Sequence, residues 1–144
     1  MEIQRKNFWK LTNKELYEIM KLRSDVFVVE QNINYLDFDD LDYDAIHYFL
    51  IDECGVYAYL RVINKGNYYQ DAYKIGRLCV KKDKRKQGIA SSLMRNAIEN
   101  LKGEKIRIAA QIHLEQFYQA LGFKSVFEPF LEEGIMHIRM DLND

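Results

Sequence analysis

The sequence has few of the residues that mark secreted or metal-binding proteins. Its two cysteines, Cys54 and Cys79, lie 25 positions apart and form no Cys-x-x-Cys motif, so they predict neither a disulfide framework nor a zinc site. The only proline is Pro129, and there is no repeat and no proline-, glycine- or serine-rich linker. We therefore expect one domain spanning residues 1–144.

An excess of one charge is also missing, because 21 Lys and Arg against 22 Asp and Glu leave a net charge of −1. This balance gives no general attraction to nucleic acid or anionic membranes, and we expect neither as a partner. No apolar run approaches the roughly 18 residues that span a bilayer, and the N-terminal residues lack the apolar core of a signal peptide. The expected location is the cytoplasm, with both thiols reduced. The apolar content of 48% is enough for a folded core.

Hydrophobic periodicity predicts the element order β-α-β-β-β-α-β-α-β-β. Thr12 and Glu15 form a capping-box pattern ahead of a helix from about Asn13 into residues 26–29. Residues 31–45 are polar and acidic and predict a loop. The other predicted strands lie at 2–11, 47–52, 56–64, 72–81, 105–111 and twice within 124–142, and the other helices at about 88–101 and 113–122. Hairpins combined with crossovers indicate a mixed sheet with helices on both faces.

Residues 81–86 contain five cations in six positions, just before Gly88 and a predicted helix. The first N–H groups of a helix have no partner inside it, and the helix dipole adds positive charge there, so this joint suits an anion such as phosphate. Gly88 would let the anion approach the backbone closely, and Ala90 keeps the neighbouring surface low. A solvated turn is the alternative, and the pattern alone does not decide between them. Neither a P-loop nor a dinucleotide-binding glycine motif is present.

The element Arg85-x-x-Gly88-x-Ala90, between a strand and an amphipathic helix, resembles the Gln/Arg-x-x-Gly-x-Gly/Ala element of the GNAT superfamily of N-acetyltransferases. "KIRIAAQ" and "FYQALGF" resemble that family's fifth strand and following helix, and "LRSDVFVVEQ", "YLDFDDLDYDAIH" and "EEGIMHIRM" resemble its ElaA-like branch. The resemblance extends over about residues 5–142. It implies a single-domain α/β fold with a mixed, mostly antiparallel sheet of about seven strands, splayed at the centre.

The resemblance implies that the anion is the pyrophosphate of acetyl-CoA, held by backbone amides from about Lys86 to Ser91. Lys82, Lys84 and Arg85 would lie near the phosphates, and the preceding strand would line the pantetheine arm. The corner before the last helix is a further expected contact. The expected cofactor-binding residues are Leu78, Cys79, Val80, Arg85, Lys86, Gln87, Gly88, Ile89, Ala90, Ser91, Gln111 and His113.

The implied reaction is direct attack of a primary amine on the thioester of acetyl-CoA. Tyr118 resembles the family's tyrosine that hydrogen-bonds the CoA sulfur, and a phenol with a pKa near 10 would protonate the departing thiolate. A backbone N–H of Cys79 or Val80 would stabilise the oxyanion, and Cys79 itself is expected to be a small core residue rather than a nucleophile. One alternative makes Tyr118 a half-buried packing residue. Another makes the protein a non-catalytic acyl-CoA-sensing or protein-binding module on the same fold.

The candidates for the base or for substrate contact are Glu30, His47 and His137, each with an ordinary structural role as the alternative, and water could also relay the proton. Seven acids and no Lys or Arg between Tyr35 and Glu53 predict attraction for a cationic acceptor, either a small amine or an exposed amino group. "DFDDLDYD" lacks the central glycine and terminal glutamate of a calcium loop, so no metal is expected. Opposed acidic and basic surfaces leave a homodimer open.

Overall fold

A computed structural model covers residues 1–144 and contains one seven-stranded sheet in the order β1-β2-β3-β4-β5-β7-β6. Its strands are β1 (Gln4–Asn7), β2 (Ile46–Asp52), β3 (Gly55–Ile63), β4 (Tyr73–Val80), β5 (Ile106–Gln111), β6 (Lys124–Glu132) and β7 (Ile135–Leu142). All neighbouring strands are antiparallel except β4 and β5, which are parallel. The predicted mixed, mostly antiparallel sheet is confirmed.

Three α-helices accompany the sheet: α1 (Asn13–Arg23), α2 (Ile89–Asn100) and α3 (Glu115–Gln119). The predicted capping box is present, because the Glu15 N–H donates to Thr12 Oγ1 at 3.0 Å and the Thr12 N–H donates to Glu15 Oε1 at 2.9 Å. None of the helices is both long and apolar enough to cross a membrane.

The first helix extends beyond α1 as a π-helical segment, Ser24–Glu30, so its predicted extent is right but its end is wider than an α-helix. The Gln31 N–H donates to the carbonyl of Val26, five residues earlier, at 3.2 Å. Such π-helical turns are frequent at functional sites. The first strand is shorter than predicted, because Phe8–Lys10 turns away as a 3₁₀ helix that the Asn7 side chain caps at the Lys10 N–H.

Apolar side chains form one cluster on each face of the sheet. On one face, Ile19 and Leu22 of α1 pack against Phe49, Tyr59 and Cys79. The other face carries the larger cluster, in which side chains of α2 and the α3 region cover the strands. Its helix-side members include Leu93, Met94, Ala97, Tyr118 and Phe123. Helices therefore cover both faces, as the alternation of elements predicts.

The sheet opens at its centre. β4 and β5 are paired only at Tyr73 with Ile106 and Lys74 with Arg107, after which the two strands separate. A bulge in β4 lies just beyond this point, because Leu60 of β3 stands opposite both Arg77 and Leu78. Arg77 has a φ of 56°, an unusual conformation for a residue with a side chain. The predicted splay is confirmed, and the opening between the strands forms a cleft.

Candidate active site

The cleft between β4 and β5 holds about 980 Å³ of empty space, a volume that includes its open mouth. Its walls come from six parts of the chain: β4, β5, α2, the α3 region, the segment after α1, and the β6–β7 hairpin. Twelve of its twenty lining residues are hydrophobic, with Tyr118 counted among them, and the polar ones include Lys74, Arg77, Gln111 and His137. This combination of apolar walls and a few polar groups is typical of a binding or catalytic site.

Tyr118 lies on the wall of the cleft and is only 9% exposed. Its ring makes edge-to-face contacts with Phe117 and Phe123 at centroid distances of 5.0 and 6.0 Å. Burial raises the pKa of Tyr118 to about 12, above the value near 10 assumed from the sequence. The phenol therefore stays protonated near neutral pH, so it can donate a hydrogen bond into the cleft.

The basic turn leads into α2 through two residues of positive φ, Lys86 at 64° and Gly88 at 77°. Gly88 is the N-cap of α2, and no side chain caps the helix there. A Cβ built on Gly88 meets no atom within 4 Å, so the space next to this backbone is open. The N-terminus of α2 therefore presents free N–H groups to an open surface, which is the arrangement that binds phosphate.

Arg85 differs from its predicted role at the phosphate site, because protein groups already bind its side chain. Its Nε donates to the carbonyl of Val80 at 2.8 Å, and its two terminal nitrogens bind the carboxylate of Glu30 at 2.6 and 2.8 Å. Arg85 thus joins the end of the π-helical segment to the basic turn.

The lysines of the basic turn differ in the same respect. Lys84 is engaged, because its Nζ lies 3.8 Å from a carboxylate oxygen of Asp52 and over the ring of Tyr57. Lys82 and Lys86 are exposed and free to meet a phosphate.

Only some of the residues predicted to contact the pantetheine arm and CoA line the cleft. Leu78 lines the cleft, whereas the side chains of Cys79 and Val80 pack into the two opposite cores. Cys79 stands opposite Tyr59 and Val80 opposite Ala58 of β3, and in such an antiparallel ladder only alternate residues direct their N–H toward the partner strand. Gln111 lines the cleft and donates to Gln31 at 3.2 Å. His113 is exposed, outside the cleft lining.

Two of the three candidate bases do not reach the cleft. His47 is fully buried, and its ring nitrogens bind the Tyr59 hydroxyl at 2.6 Å and the Asp42 carbonyl at 2.9 Å. Burial lowers the pKa of His47, so it is a neutral core residue, and its predicted role as a base is wrong. Glu30 is engaged by Arg85, whose hydrogen bonds lower the pKa of this carboxyl, and it is outside the cleft lining.

His137 is the candidate base that the fold brings to the cleft. Its Nδ1 lies 2.8 Å from the carbonyl of Ile135, which can only accept a hydrogen bond, so Nδ1 carries the proton in the neutral ring. The lone pair is then on Nε2, which lies 3.9 Å from a carboxylate oxygen of Glu132. That carboxylate would stabilise the ring once Nε2 had taken up a proton.

The acidic loop does not form the predicted surface for a cationic acceptor. Asp37, Asp39 and Asp42 fold inward and bind three arginines, and we call these six residues the arginine–aspartate cluster. Its contacts include Arg23 to Asp42 at 2.7 Å, Arg61 to Asp39 at 2.7 Å and Arg77 to Asp37 at 2.7 Å. Burial raises the pKa of Asp39, but Arg61 and then Arg77 outweigh it and bring the pKa down to about 2. These acids are already neutralised, so the cluster holds the loop and the β4 bulge together.

The chain was compared with known families, relatives and structures. Residues 47–143 match the model described as the acetyltransferase (GNAT) domain. This chain belongs to the GNAT acetyltransferase family. A UPF0039 protein of Schizosaccharomyces pombe is 36% identical over 99% of this chain and 97% of its own length.

Similarity to ElaA in sequence and structure places the chain within the ElaA-like branch of the GNAT family. Escherichia coli ElaA superimposes with a TM-score of 0.91 at 32% identity, over 99% of this chain and all of that one. An acyl-CoA N-acyltransferase from Pseudomonas aeruginosa gives a TM-score of 0.92 at 32% identity, over 99% of both chains. GNAT membership supports acyl transfer from an acyl-CoA to an acceptor, and the chain combines an apolar cleft with a basic turn and an open helix N-terminus.

Two features of the GNAT cleft were not predicted from the sequence. Lys74 and Arg77 precede the basic turn on β4 and belong to no recognisable motif. Arg77 occupies the bulge, and its position depends on its pairing with Asp37, which lies 40 positions earlier in the chain. Lys74 faces the cleft because β4 and β5 separate just after it. Neither fact has a local sequence signal.

Proposed function

We propose that this protein is an N-acetyltransferase that moves the acetyl group of acetyl-CoA to a primary amine by direct attack within a ternary complex. The observation that carries the proposal is the splayed, bulged cleft with the buried Tyr118 on its wall, together with the open N-terminus of α2, which follows β4 through the basic turn. The phosphates bind at the α2 N-terminus near Lys82 and Lys86, and the pantetheine arm runs along the free edge of β4 past Leu78. The thioester then lies between the bulge and Tyr118.

The chain offers a group for each step of the reaction. His137 Nε2 accepts the proton of the attacking ammonium, directly or through water, and Glu132 stabilises the charged ring. The backbone N–H of Leu78, at the bulge where the regular pairing with β3 is interrupted, donates to the oxyanion. As the carbon–sulfur bond breaks, the Tyr118 hydroxyl donates to the sulfur. Burial in the same cleft raises the pKa of the departing thiol as well. The difference in pKa between Tyr118 and the thiol is therefore smaller than it would be if only Tyr118 were buried.

The phosphate part of the proposal predicts a specific effect of Gly88→Ala. The new Cβ projects into the open space where the phosphate would lie, and a positive φ costs a residue with a Cβ about 1–2 kcal/mol. We expect acetyl-CoA to bind at least about tenfold more weakly, as measured by calorimetry. Gly103→Ala is the matched control, because Gly103 also has a positive φ, of 82°, and open space around it. It should lose similar stability yet bind acetyl-CoA normally. Equal affinity of the two variants for acetyl-CoA would show that the phosphates do not bind at the N-terminus of α2.

Initial rates of thiol release test the reaction itself. The concentration of acetyl-CoA is varied at several fixed concentrations of an amine that the protein accepts. Direct attack in a ternary complex predicts double-reciprocal lines that intersect, because both substrates must be bound before either product leaves. Parallel lines would instead indicate an acetylated enzyme intermediate and would overturn the proposed mechanism. Tight binding of acetyl-CoA without transfer to any amine would favour the non-catalytic module.

A further inference from the structure

Lys74 lies at the cleft, on the face of the sheet opposite α2. Side chains alternate along β4, and Ile75 points into the core beneath α2 while Lys74 points to the other face. There the loop between β3 and β4 folds over it, and its Nζ lies 3.8 Å from the ring centre of Tyr68 and 5.7 Å from that of Tyr69. The ammonium group is therefore held between two aromatic rings at the cleft.

The other cations near Lys74 have carboxylate partners. On the same face, Arg107 binds Asp71 at 2.8 Å, and Arg139 binds Asp141 at 3.0 Å. Arg77, the only other Lys or Arg that lines the cleft, binds Asp37. Lys74 makes no salt bridge and no hydrogen bond to any protein acceptor. The carboxylate of Glu132 influences it only by longer-range electrostatic attraction.

An unpaired ammonium group that is partly removed from water is costly. Its burial lowers the pKa of Lys74 to about 8, so the group is still largely charged near neutral pH. The aromatic rings offset part of this cost and restrict where the group can move. No protein acceptor binds this ammonium group at the cleft, and a carboxylate on a bound molecule would supply one.

We propose that Lys74 binds a carboxylate of the acceptor, so the preferred acceptors are amino acids, whose amine and acidic group belong to one small molecule. This inference rests on the proposed N-acetyl transfer and specifies its substrate class. The carboxylate binds Lys74, and the amine then points toward His137 and the thioester. Glu132, on the rim of the same cleft, attracts the ammonium form of the acceptor before it loses its proton.

Matched acceptors test the role of Lys74. A set of L-amino acids is compared with the corresponding amino-acid amides, which differ only at the carboxyl group. The amine of an amide loses its proton more readily, so any preference for the acid runs against intrinsic reactivity. We expect kcat/KM to favour the acids by about tenfold or more, since hydrogen bonds to charged groups contribute about 1.5–3 kcal/mol. Lys74→Met should abolish that preference mainly through KM, and Lys74→Arg should keep part of it.

Lys105→Met is the control variant, because it removes a cation of the same face that is bound to Asp71 and does not line the cleft. It should leave the preference unchanged. Wild-type protein that accepts amides as well as acids, or Lys74→Met that keeps the preference, would overturn the inference while leaving acetyl transfer intact.

A binding measurement separates this inference from the proposed function. N-acetyl amino acids and their amides are titrated into the CoA-bound protein and into its Lys74→Met variant. Tighter binding of the acids that depends on Lys74 supports the carboxylate site even if no amine is acetylated, in which case only the proposed function fails. Equal binding of acids and amides would contradict the carboxylate site.

Discussion

Replacing Tyr118 with phenylalanine is expected to lower kcat by about 100-fold or more while acetyl-CoA binds normally. The substitution keeps the ring and its edge-to-face contacts with Phe117 and Phe123, so it removes only the hydroxyl. Without that donor, the departing thiolate forms unassisted in an apolar site, which raises the barrier to carbon–sulfur cleavage. Because the hydroxyl acts on the sulfur as the bond breaks, the loss should fall on kcat and not on KM for acetyl-CoA.

Tyr48→Phe is the matched control for this prediction. Tyr48 belongs to the same core cluster as Tyr118 and is just as well buried, at 2% exposure, but it does not line the cleft. Its variant should keep the wild-type kcat, even if it loses a little stability. An unchanged kcat in Tyr118→Phe would show that Tyr118 has only a packing role and does not donate to the departing thiolate.

Replacing Arg23 with methionine is expected to lower the free energy of unfolding by about 3 kcal/mol or more, because Asp37 and Asp42 each lose one of two arginine partners in a buried cluster. Arg23 is fully buried and donates to Asp42 at 2.7 Å, to the Asp37 carboxylate at 3.1 Å and to the Asp37 carbonyl at 2.9 Å. For a domain of this size the melting temperature should fall by about 10 °C or more. Activity should fall as well, since Asp37 also holds Arg77 at the bulge.

Lys65→Met serves as the control for the buried arginine. Lys65 pairs with Glu104 at 3.4 Å, but the two side chains are 46% and 50% exposed. Exposed pairs of this kind contribute about 0–1 kcal/mol, so the melting temperature should barely change. Adding Asp42→Asn to Arg23→Met should recover part of the lost stability by removing the charge of a buried carboxylate that has lost one of its two arginine partners. A melting temperature for Arg23→Met within a degree or two of wild type would show that the cluster does not hold the loop.

The features that could be predicted from the sequence are the ones encoded by local patterns. Thr12 and Glu15 begin α1 through a backbone cap, and the alternation along β2 and β3 predicts their hairpin. Gly88 is needed where the backbone takes a positive φ, so the start of α2 follows from local geometry. The central splay was expected only through the family resemblance, because no local signal shows where two strands separate.

The pairing of distant charges could not be predicted in the same way. The acids between Tyr35 and Glu53 predict a surface that attracts a cationic substrate, yet arginines from α1, β3 and β4 neutralise three of them. Arg85 was expected to meet a phosphate, but it binds Glu30, 55 positions away. His47 shows the same limit, since its partners Tyr59 and Asp42 become neighbours only when the sheet forms. Local sequence gives the type of each side chain, and tertiary pairing decides which of them are free.

The central claim is that the cleft transfers the acetyl group of acetyl-CoA to an amine. The most direct test incubates the protein with acetyl-CoA and a panel of amines that includes amino acids, and measures released CoA thiol and N-acetylated amine in the same mixture. The account predicts that the two products form in equal amounts, with Tyr118→Phe at least about 100-fold slower. Release of thiol without acetylated amine, or no product from any amine while acetyl-CoA binds at the α2 N-terminus, would contradict it.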